Sequence, residues 1–196
     1  MMNKTAIFSP CRKYRYSLSR IWKPERPYCL FVALNPSTAD ENIDDSTIRR
    51  CIRFSFDWGY GGMVMTNIFA YRSTDPAGLK IPDDPIGPEN DSFIKKLSFS
   101  AGITVCAWGI HGNYLSRGKT VLSFLKDPHY LKLTKDGTPN HPLYLKANLK
   151  PKLYLSGKAV FKKKYLFLKD KYLSLKPCFL PFYIYLNSNF SALSEL

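Results

Sequence analysis

Four short stretches hold the residue types that could do chemistry. Asn35-Pro36-Ser37-Thr38, with Asp40 and Asp44-Asp45 close behind, offers an amide, two hydroxyls and carboxylates. Thr66-Asn67, followed by Tyr71-Arg72, adds a second amide. Trp108-Gly109 sets an aromatic ring beside a residue without a Cβ, and His111 follows. Asn140-His141-Pro142 holds an imidazole in a short rigid loop. An imidazole titrates near neutrality, so it can move a proton or donate to a developing oxyanion. A glycine lets backbone come close to a ligand. Asp40, Asp45 and His141 are also a set that a hydrolase could use, and carboxylates suit a hard divalent cation.

Each position has a plainer reading. Asn-Pro is a common way to end a strand, and Ser37 or Thr38 can bond local backbone. Asp44 and Asp45 precede a helix, where a carboxylate caps the first amides. Trp108 is a natural core residue, and His129 beside Pro128 reads as surface. No GxGxxG or GxxxxGK[ST] pattern is present, so no dinucleotide or P-loop cofactor is expected. A GxSxG elbow and a histidine cluster with metal spacing are also missing, so no metal is expected from spacing.

The elements that must position these residues are legible from the apolar pattern. Tyr28–Leu34 and Met63–Ala70 are continuous apolar runs of the kind buried on both faces of a parallel sheet. Ile103–Trp108 is a third strand, and Tyr130–Thr134 a fourth. Helices fall between them: Ser46–Trp58 with Ile48, Cys51, Ile52 and Phe56 at helical spacing, Asn90 or Asp91 to Ser100, and Lys119–Lys126. Strands alternating with helices give an α/β fold, a short and mostly parallel sheet of about four strands flanked by helices. The alternating stretch Tyr14–Trp22 adds an edge strand or hairpin. In such sheets ligands sit beyond the carboxyl ends of the strands. That edge is where Asn35, Asn67, Trp108, Gly109, Asn140 and His141 all fall.

Composition bounds the rest. At 196 residues, with 45% hydrophobic and 22% charged residues, the chain is globular rather than disordered. Its five cysteines form no CxxC pair, which argues against a disulfide framework and for small buried thiols in a reducing cytosol. The first 25 residues contain no apolar signal region, and the longest apolar run, Cys178–Leu186, is nine residues against the roughly 20 a bilayer span needs. A cytoplasmic protein without a membrane span is the expectation. From about residue 152 the composition shifts to lysines and aromatics, so residues 1–151 read as one domain and 152–196 as an atypical C-terminal extension. Residues 151–196 hold eight Lys and two acids, a net of +6, which leaves 21 basic and 13 acidic residues, +8, for residues 1–150. A basic domain suits a polyanionic partner such as DNA, RNA or a nucleotide.

Taken together, Arg15-Tyr-Ser-Leu-Ser-Arg20, Leu34-Asn-Pro-Ser-Thr-Ala-Asp40, Asp45-Ser-Thr-Ile-Arg-Arg-Cys51, Thr66-Asn-Ile-Phe-Ala70, Ala107-Trp-Gly109 and Asp136-Gly-Thr-Pro-Asn-His-Pro142 resemble a bacterial and phage family catalogued as a domain of unknown function, DUF1643. The resemblance covers about residues 10–151. More distantly, the layout is similar to the uracil-DNA glycosylase superfamily, whose members carry an Asn-Pro or Asp-Pro turn after the first strand and a His-Pro motif after the last. That resemblance implies a three-layer sandwich in which Asn35 orients the attacking water or contacts the base. His141 would then stabilise charge on the departing base, Pro142 would shape the loop entering DNA, and Asn67 would read the base edge. The chain departs from the pattern after Pro142, where Leu143-Tyr144 replaces a serine-containing wedge.

Three readings stand at this point. One is an enzyme acting on nucleic acid or nucleotides at a base or glycosidic bond, with Asn35, Asp40 and His141 catalytic. Pro36, Ser37, Thr38, Asp45, Asn67, Trp108, Gly109, Asn140 and Pro142 would surround its substrate. A second is a binding module without chemistry, and a third is a small-molecule hydrolase built on Asp40, Asp45 and His141.

Overall fold

The computed structural model describes residues 1–154. Residues 155–196, most of the expected C-terminal extension and Cys178 with it, lie outside the described residues. Seven strands, β1 (Asn3–Phe8), β2 (Arg15–Ile21), β3 (Tyr28–Ala33), β4 (Gly62–Asn67), β5 (Ile103–Cys106), β6 (Pro128–Tyr130) and β7 (Lys152–Leu153), form one sheet in the order β1-β2-β4-β3-β5-β6-β7. Three helices, α1 (Ser46–Asp57), α2 (Asn90–Ser100) and α3 (Arg117–Phe124), connect them.

The fold is α/β, but the sheet is larger and more mixed than four parallel strands. β4, β3, β5 and β6 run parallel, as the alternation of strand and helix requires. β2 and β1 extend one side antiparallel, and β7 pairs antiparallel with β6. The stretch Tyr14–Trp22, expected as an edge strand or hairpin, supplies β2, which pairs antiparallel with β1; β1 and β7 escape the apolar pattern. β1 is an exposed edge strand with no continuous apolar face, and β7 has only two residues. β2 is not at the edge: it lies between β1 and β4, which is why it is buried along most of its length.

Successive side chains of the central strands point to opposite faces, so each strand feeds two cores. Cys29, Phe31, Ala33, Met63 and Met65 pack with Ile48, Cys51 and Phe54 of α1. Leu30, Val32, Val64 and Cys106 pack with Ile94 of α2 and Val121 of α3. The buried thiols Cys29, Cys51 and Cys106 behave as small hydrophobes, and burial raises the pKa of each. No helix among the described residues is long and apolar enough to cross a membrane.

Local differences from the expected elements have simple causes. Phe56 is exposed because Ile48, Cys51 and Phe54, at a spacing of three, take the buried face of α1. Asn90 does not cap α2 with its side chain; it is buried, and its amide donates to the carbonyls of Asn67 (2.9 Å) and Ile68 (3.2 Å). The fourth parallel strand ends at Tyr130 rather than Thr134. Beyond it Leu133 bridges Pro139 in a narrow hairpin, with Thr134 N–H donating to Thr138 O at 2.8 Å and Gly137 turning the chain at φ 75°.

Candidate functional site

Beyond the carboxyl ends of the parallel strands lies a cleft of about 580 Å³. Ala33, Met65 and Ile48 give it an apolar base, and four loops give it polar walls. Of the residues expected there, Asn35, Ser37, Asp45, Asn67, Trp108, Gly109, Asn140 and His141 line it. Pro36, Thr38, Asp40 and Pro142 do not. Pro36 and Pro142 are buried beside it and Thr38 is exposed, so the two prolines shape loops rather than meet a ligand.

His141 reaches the cleft by the hairpin after β6. The return arm is tied to neighbouring strand ends, with Gly109 N–H donating to Pro139 O (2.8 Å) and Asn140 N–H donating to Lys132 O (2.8 Å). His141 then caps a short 3-10 turn, Pro142–Tyr144, and its Nδ1 accepts the Leu143 amide at 3.4 Å. An accepting Nδ1 leaves Nε2 as the protonated nitrogen of a neutral ring. Burial lowers the pKa of the imidazole from its usual 6.5, while the nearby Asp45 carboxylate works in the opposite direction. At neutral pH the ring is therefore a neutral N–H donor.

Asn35 follows β3 in the loop that leads to α1. Its amide nitrogen donates to Ser73 O (2.7 Å) and Pro36 O (3.2 Å), which fixes the side chain across two loops. Its carbonyl oxygen makes no hydrogen bond to the described residues, so it is free to accept from a ligand or a water. Asp45 is the α1 N-cap, accepting Ile48 N–H at 2.8 Å. Asp40 is occupied elsewhere. Its Oδ1 accepts the amides of Asn42 and Ile43, both at 2.8 Å, and these bonds, Ile43 first, hold its carboxyl below the usual range. The carboxylate is a turn-former outside the cleft.

The charged residue that sequence reasoning missed is Arg15. Because β2 runs antiparallel to β4, its first residue arrives at the carboxyl edge, and Arg15 N–H donates to Ala70 O at 2.9 Å. Ile7 stands opposite Ser17 and Phe8 opposite Arg15, so Tyr16 is an extra residue on the β2 side, a β-bulge. Arg15 and Arg20 are an odd number of positions apart, which in a regular strand would send them to opposite faces. With the bulge, both reach carbonyls of the loop 37–45: Arg15 Nη1 donates to Ala39 O (2.7 Å), and Arg20 Nη2 to Asp40 O (2.6 Å). Arg15 Nη2 also donates to Asn67 Oδ1 (3.2 Å), which turns the amide nitrogen of Asn67 to its other side as a donor. Two arginines at odd spacing in one short strand were the available signal.

Trp108 lines the cleft, yet it is 4% exposed and is packed against two glycines. A Cβ on Gly112 would come within 2.0 Å of the indole, and one on Gly118 within 2.9 Å. It is a wall, held too tightly to act as a stacking platform. The exposed aromatic is Tyr144, 85% accessible at the mouth of the cleft and 5.9 Å ring to ring from His141. His111, also exposed, lies with Ile110 between this cleft and a second one of about 500 Å³ bounded by Asp75 and Lys80. Among the described residues no group of three or more His, Cys, Asp or Glu converges as a metal site.

Comparison with known proteins gives one result. A family model described as "Protein of unknown function (DUF1643)" matches residues 15–143, from Arg15 at the start of β2 to Leu143 beside the capping histidine. No curated protein and no solved structure matches the chain.

Proposed function

The chain belongs to the DUF1643 family, and from that premise we propose that its cleft takes a nucleobase or nucleotide and acts at the glycosidic bond. The observation that carries the reading is His141. Its ring is fixed by the Leu143 amide as a neutral Nε2–H donor, and it shares a cleft with an Asn35 whose carbonyl has no partner among the described residues. In this reading water adds to the anomeric carbon as the bond to the base breaks, the bonding pair leaves with the base, and the proton the water gives up ends on the base anion. Nε2–H of His141 hydrogen-bonds the oxygen where that charge collects, and the carbonyl of Asn35 accepts from the water and orients it. A neutral donor suits an anion forming in a buried site, because it needs no proton taken up beforehand. Tyr144 supplies a stacking face at the entrance.

The hydrolase alternative loses support from the hydrogen bonds. Asp40 is committed to a turn outside the cleft and Asp45 uses Oδ1 for a helix cap, so the cleft holds one of the two carboxylates rather than the pair. A binding module without chemistry keeps the same cleft. The two are separated by following release of free base from uracil-containing DNA and RNA oligonucleotides, and from nucleosides and nucleotides, with the full chain. We expect release by the native protein and a loss on the order of 100-fold in Asn35→Ala and in His141→Ala, with binding retained. Binding without release, in both native protein and variants, makes this a recognition module. Neither binding nor release ends the nucleobase reading.

A further inference from the structure

Arg15 is 3% exposed and lines the cleft, yet its hydrogen bonds are incomplete. A guanidinium has five N–H donors. Arg15 places one on Ala39 O and one on Asn67 Oδ1, and its Nε has no partner among the described residues. Among the described residues no carboxylate lies within ion-pair distance of it. The acids around it are engaged: Asp45 caps α1, Asp40 forms a turn, and Asp44 pairs with Arg20 and Lys4. Arg72 and Arg20 add positive charge, and Arg72 also buries an Nε without a partner among the described residues. A buried cation with unused donors is costly unless something completes it.

We propose that Arg15 anchors an oxyanion of the ligand, a phosphate or carboxylate group, at the inner end of the cleft. The proposal rests on the reading of the cleft as a nucleotide site and narrows it to ligands that carry their own anion. A planar fork with spare parallel donors matches two oxygens of one such group. Asp45 lines the same cleft and is the acid that acts most strongly on Arg15, so an anion held there meets its repulsion as well as the attraction of Arg15. Burial favours the uncharged form of Arg15 and lowers its pKa to about 10, with Asp45 opposing; at neutral pH the side chain is still fully a cation.

The test is calorimetric titration of the full chain, at constant ionic strength, with uridine, uridine monophosphate, inorganic phosphate and acetate. We expect the monophosphate to bind at least tenfold more tightly than the nucleoside. The free anion, phosphate or acetate, that competes with it identifies the oxyanion type. In Arg15→Gln, which offers an amide donor but loses the charge and the fork, that preference falls below twofold. Equal binding of nucleoside and monophosphate by the native protein overturns the proposal and leaves the nucleobase reading intact. This comparison needs no variant, so it decides even if Arg15→Gln fails to fold. A preference that survives in a folded Arg15→Gln also overturns it. Binding of free phosphate or acetate, lost in the variant, without binding of uridine or its monophosphate would keep the anion site and remove the nucleobase. No binding by any of the four overturns both.

Discussion

Strand β2 buries an arginine towards each end, and the two are provided for differently. Arg20 is fully buried, and every guanidinium nitrogen donates: Nε to Asp44 (2.7 Å), Nη1 to Ser19 O (2.9 Å) and Nη2 to Asp40 O (2.6 Å). The loop 37–45 folds around it, and Asp40 and Asp45 hold that loop in shape. Arg15 is nearly as buried, touches the same loop, and receives one backbone carbonyl and one amide oxygen. Residue type and burial are shared, so the difference lies in satisfaction. A buried charge whose partners are all in the chain is part of the fold, and one whose partners are incomplete is a place where the chain expects something from outside.

The largest effect that would sharpen this contrast is on stability. Arg20→Met takes its partner from the Asp44 carboxylate and from two carbonyls, and is expected to cost about 3–5 kcal/mol in urea unfolding, as breaking a buried pair from one side does. Arg15→Met removes a charge that folding disfavours at every pH below about 10, while leaving Ala39 O and Asn67 Oδ1 without a donor. The two effects oppose, and a net change within about 1 kcal/mol is expected by the same method. Comparable losses in the two variants would erase the distinction. The smallest effect belongs to Asp45→Asn. Asparagine caps a helix about as well as aspartate, so stability should move by less than about 0.5 kcal/mol.

The acid limb of activity reports on the same position. His141 has a lowered pKa in the folded state, so folding favours its neutral form. Above 6.5 folded and unfolded rings are both neutral and the group has no effect on stability. As pH falls below 6.5 the unfolded ring takes up a proton first, and stability is lost progressively until the folded ring protonates too. Activity that needs the neutral ring should hold from neutral pH to below 6.5 and then fall. Asp45→Asn removes the charge that partly offsets burial, so its acid limb should lie at lower pH than that of the native protein. A limb shifted upward would refute this account of the ring.

How far the sequence reveals these features depends on which interactions leave a local trace. β3, β4, β5, α1 and α2 appear in it because long apolar runs and helical spacing report burial directly. β6 is misplaced because Tyr130–Thr134 alternates like a strand, while only its first residue belongs to the sheet and Leu133 pairs within a hairpin. Asn35, Asn67 and His141 were legible as residues after strand ends. Asp40 was assigned a chemical role because a free carboxylate and one bonded to two amides look the same in sequence. Arg15 went unseen because the rule of carboxyl ends counts parallel strands, and it takes an antiparallel neighbour to deliver the start of a strand to that edge.

The strand order also governs how the molecule assembles. Arg15, near the beginning of the chain, and His141, past its middle, line one cleft, and the central strand β3 bonds to β4 and β5 rather than to the β2 that precedes it. These are non-local pairings, which form slowly because loop closure precedes any reward from contact. The cleft is complete only when the hairpin that carries His141 is docked beside the strand that carries Arg15. A small molecule that fits it binds the finished molecule alone, and by mass action raises the stability of the entire sheet. Ligand occupancy is then a readout of complete folding, available for screening before any reaction is known.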